Sequence, residues 1–266
     1  MDETREYLLE LHDARQELLE RKDYPVPSWV RITTITMTSK IIDGEWFNLQ
    51  KFRETFKKMG GKIRIRNRNS VFKGFEWAIK DSSFYNQVTV SYRDAYSTKS
   101  VKLFPNGSIQ AAGCSDLMDC RRVLTMLGML LQRAFELTDA PNLAVPTVQM
   151  INTNFSLNSS VNLKKVIDKF SSDKQFTVTF DPEKYSAVKI KFDPCPGMKK
   201  VTASIFSTGK VIVTGARSLK EIVAAYKTIN TVIARNELVQ NTEKVETFDV
   251  FLGVKIEDLI RKIKSQ

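Results

Sequence analysis

The chain has 266 residues, 41 Lys+Arg against 30 Asp+Glu, a formal net charge of +11 and a 42% hydrophobic fraction. That composition supplies a core and argues against a wholly disordered chain, while the absence of any long apolar run argues against a membrane span. Three cysteines suit a reducing compartment better than a disulfide scaffold.

Residues 1–28 read as a charged helical extension with a net charge of −4, ending at Pro25-Val-Pro27, and as no signal peptide. Val30–Met37 alternates as a strand, and Phe47–Phe56 has the spacing of a short amphipathic helix. Residues 51–102 then carry thirteen bases against four acids, a net of +9. Within them Lys62-Ile-Arg-Ile-Arg-Asn-Arg68 alternates basic and apolar residues, either a strand with one basic face or an exposed basic ribbon. So one-signed an excess points to a polyanion. Tyr85–Tyr92 is the next strand. Phe104-Pro-Asn-Gly107-Ser-Ile109-Gln-Ala-Ala-Gly113 is a hairpin turning through a glycine, followed by a helix from about Ser115 with the stripe Cys120, Leu124, Leu127, Leu131 and Phe135.

After Asp139-Ala-Pro-Asn142 the order recurs. Val148–Phe155 pairs with Val30–Met37, Val161–Phe170 with Phe47–Phe56, and Tyr185–Phe192 with Tyr85–Tyr92. Phe206-Ser-Thr-Gly209-Lys-Val211-Ile-Val-Thr-Gly215 repeats the hairpin as F-x-x-G-x-[IV]-x-x-x-G. Ser218-Leu-Lys-Glu221 is a capping box opening a helix with the stripe Ile222, Ala225, Tyr226, Ile229 and Ile233. The unit of strand, helix, strands and helix therefore occurs twice, over 29–138 and 146–236, and 237–266 is a C-terminal extension with one helix near Ile256–Lys264.

Enzyme chemistry finds little footing. The lone histidine, His12, lies in the acidic helix, which rules out a two-histidine zinc motif and leaves a Ser-His-Asp triad no other base. Cys114 and Cys120 lack metal-ligand spacing, and Ser207-Thr-Gly-Lys210 lacks the first glycine and the Ser/Thr of a phosphate loop. The chain reads as no enzyme, with no metal and no cofactor.

The two-fold repeat, and above all Ile205–Arg217, resembles the TATA-box-binding protein (TBP) family, with Phe180-Asp-Pro-Glu-Lys-Tyr185 similar to the family's stretch before its second hairpin. The resemblance covers 29–236 and is sharper in the second repeat, as in a divergent member such as those of large DNA viruses. It implies an α+β saddle: two pseudo-symmetric repeats forming one curved antiparallel sheet with helices on the convex face. The function implied is that of a general transcription initiation factor. Such a factor binds and bends A/T-rich promoter double-stranded DNA through the minor groove, as a monomer, and recruits a TFIIB-like factor and RNA polymerase. Its setting is the nucleus, or a cytoplasmic viral factory or virion for a viral protein.

By matched position, the intercalating aromatics implied are Tyr85, Phe104, Tyr185 and Phe206. The minor-groove face implied is Ile32, Thr34, Thr36, Gln110, Ala112, Met150, Asn152, Asn154, Ile212 and Thr214. Phosphate contacts carry over as Lys191, Lys200, Thr208, Lys210 and Arg217, whereas Ser91, Ser108 and Ser115 stand in the first repeat where bases are expected. Asp181 and Glu183 are the implied contact with a TFIIB-like factor. Ile32 and Met150 replace the family's central asparagines, with Asn152 or Asn154 as substitutes if the register shifts by one pleat. That loss keeps a second reading open: a protein-interaction scaffold of this fold without sequence-specific DNA binding.

Overall fold

The computed structural model describes residues 2–20, 25–65, 75–80, 86–94, 98–235, 238–239 and 245–265. The chain divides into two compact units, one of residues 34–149 and one of residues 1–33 with 150–266.

In the first unit the strands are β1 (Arg31–Lys40), β2 (Lys62–Ile65), β3 (Phe75–Lys80), β4 (Val88–Arg93), β5 (Thr98–Leu103) and β6 (Ser108–Cys114), in the spatial order β2-β3-β4-β5-β6-β1. Each described neighbour pair is antiparallel. The helices α2 (Leu49–Lys58) and α3 (Leu117–Phe135) cover one face. Strand alternation sends Met37, Ala111, Val101, Val90 and Trp77 to that face, all buried. Phe47, Phe52, Phe56 and Phe135 interlock where the two helices meet, with Phe52 and Phe135 stacked at 6.2 Å.

The second unit repeats the plan with β7 (Thr147–Ser156), α4 (Leu163–Ser171), β8 (Thr177–Asp181), β9 (Tyr185–Phe192), β10 (Val201–Ile205), β11 (Lys210–Ala216) and α5 (Leu219–Arg235), in the strand order β7-β11-β10-β9-β8. Both predicted helical stripes are buried. The equivalence extends to single side chains. Asn48 caps α2 by accepting from the Lys51 N–H at 2.9 Å, and Asn162 caps α4 by accepting from the Lys165 N–H at 3.2 Å. Ser218 caps α5 by accepting from the Glu221 N–H at 3.2 Å, while the Glu221 carboxylate reaches back one residue beyond a capping box, to the Arg217 N–H; Asp116 and Asp119 make the same pair of bonds on α3, with Ser115 as the donor.

One glycine per repeat fixes the geometry. Gly113 and Gly215 stand at φ +97° and +96°, at register shifts where β6 leaves β1 and β11 leaves β7. A Cβ there would lie 3.4 Å from the carbonyl oxygen of Thr98 or Lys200, so both space and backbone angle call for glycine.

The register corrects one alignment. Lys40 pairs with Ser108, and Ser156 pairs with Lys210, the residue matching Ser108. Strand β1 therefore corresponds to β7 over Arg31–Lys40 and Thr147–Ser156, two residues away from the Val30–Val148 match. A slip of two keeps every side chain on its face, which is why alternation alone did not expose it.

The extensions belong to the second unit. Helix α1 (Asp2–Leu19) packs on α5 through Tyr7, Leu8, Leu11, Ala14 and Leu18, and also touches α6 (Ile256–Lys264), the helix expected in the tail. A short hairpin, β12 (Val250–Phe251) and β13 (Val254–Lys255), precedes α6. Asn158, buried and at φ 53°, clamps both extensions. Its Nδ2 donates to the carbonyls of Val26 at 2.8 Å and Glu246 at 3.0 Å, and its Oδ1 accepts from the Glu246 N–H at 2.9 Å.

A buried ionic cluster sets the first repeat apart. The Lys99 ammonium, fully buried, meets Asp119 at 2.9 Å, and Arg122 bridges Asp119 at 2.6 Å and Asp94 at 3.0 Å. In the second repeat Val201 holds the place of Lys99 and Glu221 that of Asp119, so only the helix cap is kept. Burial pushes the Asp119 carboxyl up, but bonds from Lys99, the Ser115 N–H and Arg122 outweigh it and hold the group below the ordinary carboxylate range. A depressed folded-state value means stability that is present above the unfolded value of about 3.9 and lost as pH falls through the folded one. Asp119→Asn removes the carboxylate that meets the buried Lys99 ammonium at 2.9 Å and is expected to cost about 3–5 kcal/mol at pH 7 by denaturant titration. The wild type's lead over that variant should shrink below about pH 4.

Candidate nucleic-acid interface

The sheet face opposite the helices is built from small and polar side chains in cross-strand ladders. In the first repeat, register places Thr36, Ala112, Ser100, Ser91 and Ala78 in one ladder, and Thr38, Gln110, Lys102, Thr89 and Lys80 in the next. In the second repeat, Thr214, Thr202, Lys191 and Thr177 form the first ladder, and Asn154, Ile212, Ser204, Lys189 and Thr179 the second. Short side chains leave a shallow surface on which another flat, hydrogen-bonding surface can lie.

The structure thus puts Thr36, Gln110, Ala112, Asn154, Ile212 and Thr214 on these open faces. Alternation adds Ile32, Thr34, Met150 and Asn152. All are half-buried except Thr36, which is buried. Thr214 Oγ1 leans on the Thr202 carbonyl at 3.5 Å. The buried Oδ1 of Asn154 has no hydrogen-bond partner among the described residues. By the corrected register Thr34 is the equivalent of Met150, and Thr36 that of Asn152. Sequence reading passed over Thr38, Val148, Thr202 and Ser204, which share the same faces and carry no signal beyond their parity in a strand.

The aromatic positions lie at hairpin corners. Phe104 and Phe206 each accept from the glycine N–H three residues on, at 3.0 and 2.9 Å, and donate their own N–H to Ser108 and Lys210, both at 3.0 Å. The β6 and β11 turns are therefore the same, and parity sends both rings to the open face, half-buried. The chain after the first strand holds each turn. Ile41 N–H donates to Gly107 and Leu157 N–H to Gly209, at 3.0 and 2.9 Å. A Cβ on Gly209 would fall 1.9 Å from the Ser159 carbonyl oxygen. Tyr185, 36% exposed, meets Phe206 edge to face with centroids 5.5 Å apart, and the Lys189 ammonium sits 4.7 Å over the Tyr185 ring. Tyr85 lies outside the described residues.

Cations rim these faces. Lys191, Lys200, Thr208, Lys210 and Arg217 are all exposed, Lys191 on the ladder and Thr208 and Lys210 on the β10–β11 turn. Lys200 has Asp193 at 3.8 Å, and Arg217 lies beyond β11, its N–H given to Glu221 at the start of α5. Lys189 was missed because its counterpart is Thr89 and no motif marks it. Asp181 and Glu183 are exposed on the β8–β9 turn, where Asp181 pairs with Lys184 at 2.9 Å.

Residues 145–236 match the model of the family described as transcription factor TFIID (or TATA-binding protein, TBP). The whole fold agrees with the structure of Methanococcus jannaschii TBP, at 17% identity and TM-score 0.54 over 77% of this chain and 98% of that one. The second repeat thus matches the TBP family, and the fold is TBP-like. Across its length the chain is 27% identical to a TATA-box-binding protein-like protein of Acanthamoeba polyphaga mimivirus, covering 85% of this chain and 71% of that one. Archaeal TBPs match over less. The Picrophilus torridus protein is 24% identical across 49% of this chain and 66% of its own, and that of Thermococcus kodakarensis 36% across 31% and 39%. These relatives carry the names TATA-box-binding protein or TATA-box-binding protein-like.

Placement on an open face sets the stability cost of the corner rings. Phe206→Ala is expected to cost roughly 1–1.5 kcal/mol, against about 3–5 kcal/mol for Phe155→Ala in the core. Paired thermal melts read the difference, and equal losses would place Phe206 in the core.

Proposed function

We propose that the chain binds duplex DNA in the minor groove through the open faces of its two repeats and bends it, acting as a general initiation factor on A/T-rich promoters. The observation that carries this reading is the pair Phe104 and Phe206. They are rigid apolar side chains at identical glycine turns, on the open face and not in the core, and Phe206 stands beside the exposed Lys189. A wedge between base pairs must project from a fixed corner, and nearby cations must hold the backbone while the step unstacks; TBP itself is the reference case for this mode.

The ladder composition supports the same reading. Minor-groove edges of A·T pairs offer acceptors alone, so hydroxyls and amides that donate, set among small apolar side chains, suit them. Lys189, Lys191, Lys200, Thr208, Lys210 and Arg217 supply phosphate contacts, and Tyr185 backs the Phe206 wedge. Tyr85 takes the equivalent role in the first repeat. Asp181 and Glu183 offer an acidic corner to a TFIIB-like factor that brings RNA polymerase. The likeness to a mimivirus protein supports such an activity on a viral template.

Binding and bending are read together on an A/T-rich duplex labelled for energy transfer. Phe104→Ala and Phe206→Ala are expected to reduce both bend and affinity while their melts stay within about 1.5 kcal/mol of wild type. Unchanged bending in both variants overturns the wedge assignment. A wild-type chain that binds no duplex but captures a TFIIB-like factor through Asp181 and Glu183 favours the scaffold reading instead.

The middle of the face predicts loose sequence choice. Ile32 and Met150 have no amide to offer base acceptors, which leaves Asn152 and Asn154 as the amides on the first strands. Competition between TATA-like and other A/T-rich duplexes is expected to give weak discrimination, falling further in Asn154→Ala. A strong wild-type preference that Asn154→Ala leaves intact overturns this expectation.

A further inference from the structure

We propose that β2 and β3 form an additional phosphate-binding edge on the first repeat, which lengthens the duplex contact on that side; the inference rests on the DNA-binding reading above. The two repeats differ in strand number. The second ends at β8, whose outward residues Thr177 and Thr179 pair with Lys191 and Lys189. In the first, β3 holds that place, with Ala78 opposite Ser91 and Lys80 opposite Thr89, and β2 continues beyond it.

Register carries the open face onto the added strand. Lys62 pairs with Ala78 and so extends the ladder of Ser91, Ser100, Ala112 and Thr36 to a sixth strand. Arg64 pairs with Glu76, which pairs with Arg93. Between Lys62 and Arg64, Ile63 points to the other face and is buried, opposite the fully buried Trp77. The strand is thus anchored by the core, and its cations are aimed outward by the pleat.

The arrangement compensates for what the first repeat lacks. Ser91 and Thr89 stand where the second repeat has Lys191 and Lys189. On the same two ladders the positive charge reappears one or two strands away, at Lys62, Lys80 and Lys102. Lysine on an edge strand also guards against pairing with other chains. That role accounts for Lys62 but not for Lys102 and Arg93, which lie on interior strands of the same face. Glu76 is the acid among them, ion-paired to Arg64.

One strand adds about 4.8 Å to a face, and a duplex advances 3.4 Å per base pair along each strand. The extra edge therefore corresponds to roughly one to two base pairs. The test is hydroxyl-radical footprinting and salt-dependent binding of the full chain on an A/T-rich duplex, comparing Lys62→Gln, Lys80→Gln and Glu76→Gln with Lys191→Gln.

Lys62→Gln and Lys80→Gln are each expected to reduce the salt slope by about one unit and to shorten protection on one side by one to two base pairs. Glu76→Gln, which releases Arg64, is expected to tighten binding several-fold, a gain that a folding defect does not mimic. Lys191→Gln should lower the slope and leave that side protected. If Lys191→Gln lowers the slope while the other three change neither slope nor footprint, the edge is a solvated surface and the DNA reading stands without it. A wild-type chain that protects no duplex overturns both.

Discussion

Each repeat hinges on a glycine that no other residue replaces. Gly113 and Gly215 hold the backbone near φ +96°, pressed against a neighbouring strand's carbonyl, at the point where the return strand leaves its partner. The bulge shifts the register, one further pair forms (Cys114 with Ile35, Ala216 with Ile151), and the chain then enters the capped start of α3 or α5. Those helices then seal one sheet face, and the alternation they impose decides which residues are left outside. The corner phenylalanines, the polar ladders and the cations all take their direction from this chain of constraints.

Two repeats under the same constraint have diverged in how they fill it. Beneath the sheet the first uses Lys99, Asp119, Arg122 and Asp94 where the second uses Val201 and the cap acid Glu221. A buried ion pair adds little net stability over apolar packing, though it cannot lose a member without penalty. On the open side the second repeat has Lys189 and Lys191 on β9, while the first has Thr89 and Ser91 on the matching strand and lysines on β5, β3 and β2. Neither change disturbs the hairpin or the helices, because both act on side chains whose facing the pleat already decides.

The sequence made the repeat, both hairpins, the helical stripes, the Ser218 cap and the tail helix legible. Each is a local pattern in which turn chemistry and periodicity agree. Strand register was not, since period two names the face but not the partner, and the match of β1 to β7 slipped by one pleat unnoticed. Lys189, Lys102 and Thr38 were invisible for the same reason: each joins its ladder only once the neighbouring strands are in register. The run beginning at Lys62 was visible as charge, and β2 occupies Lys62–Ile65, but its position beyond a complete repeat needed the strand order. Residues 66–68 of that run lie outside the described residues. The Asn158 clamp had no signal, because its partners are main-chain groups at opposite ends of the chain.

That clamp bears on the order in which a newly made chain can fold. The unit of residues 34–149 is continuous and closes on contacts made within one stretch of synthesis. The other unit joins residues 1–33 to 150–266, and Asn158 finds the Glu246 main chain only after the 88 residues that follow it have been made. Helix α1 precedes α5 and α6 in the chain and must wait for both before its apolar stripe is covered. The net negative charge of residues 1–29 disfavours association of that uncovered helix with other copies of itself in the meantime.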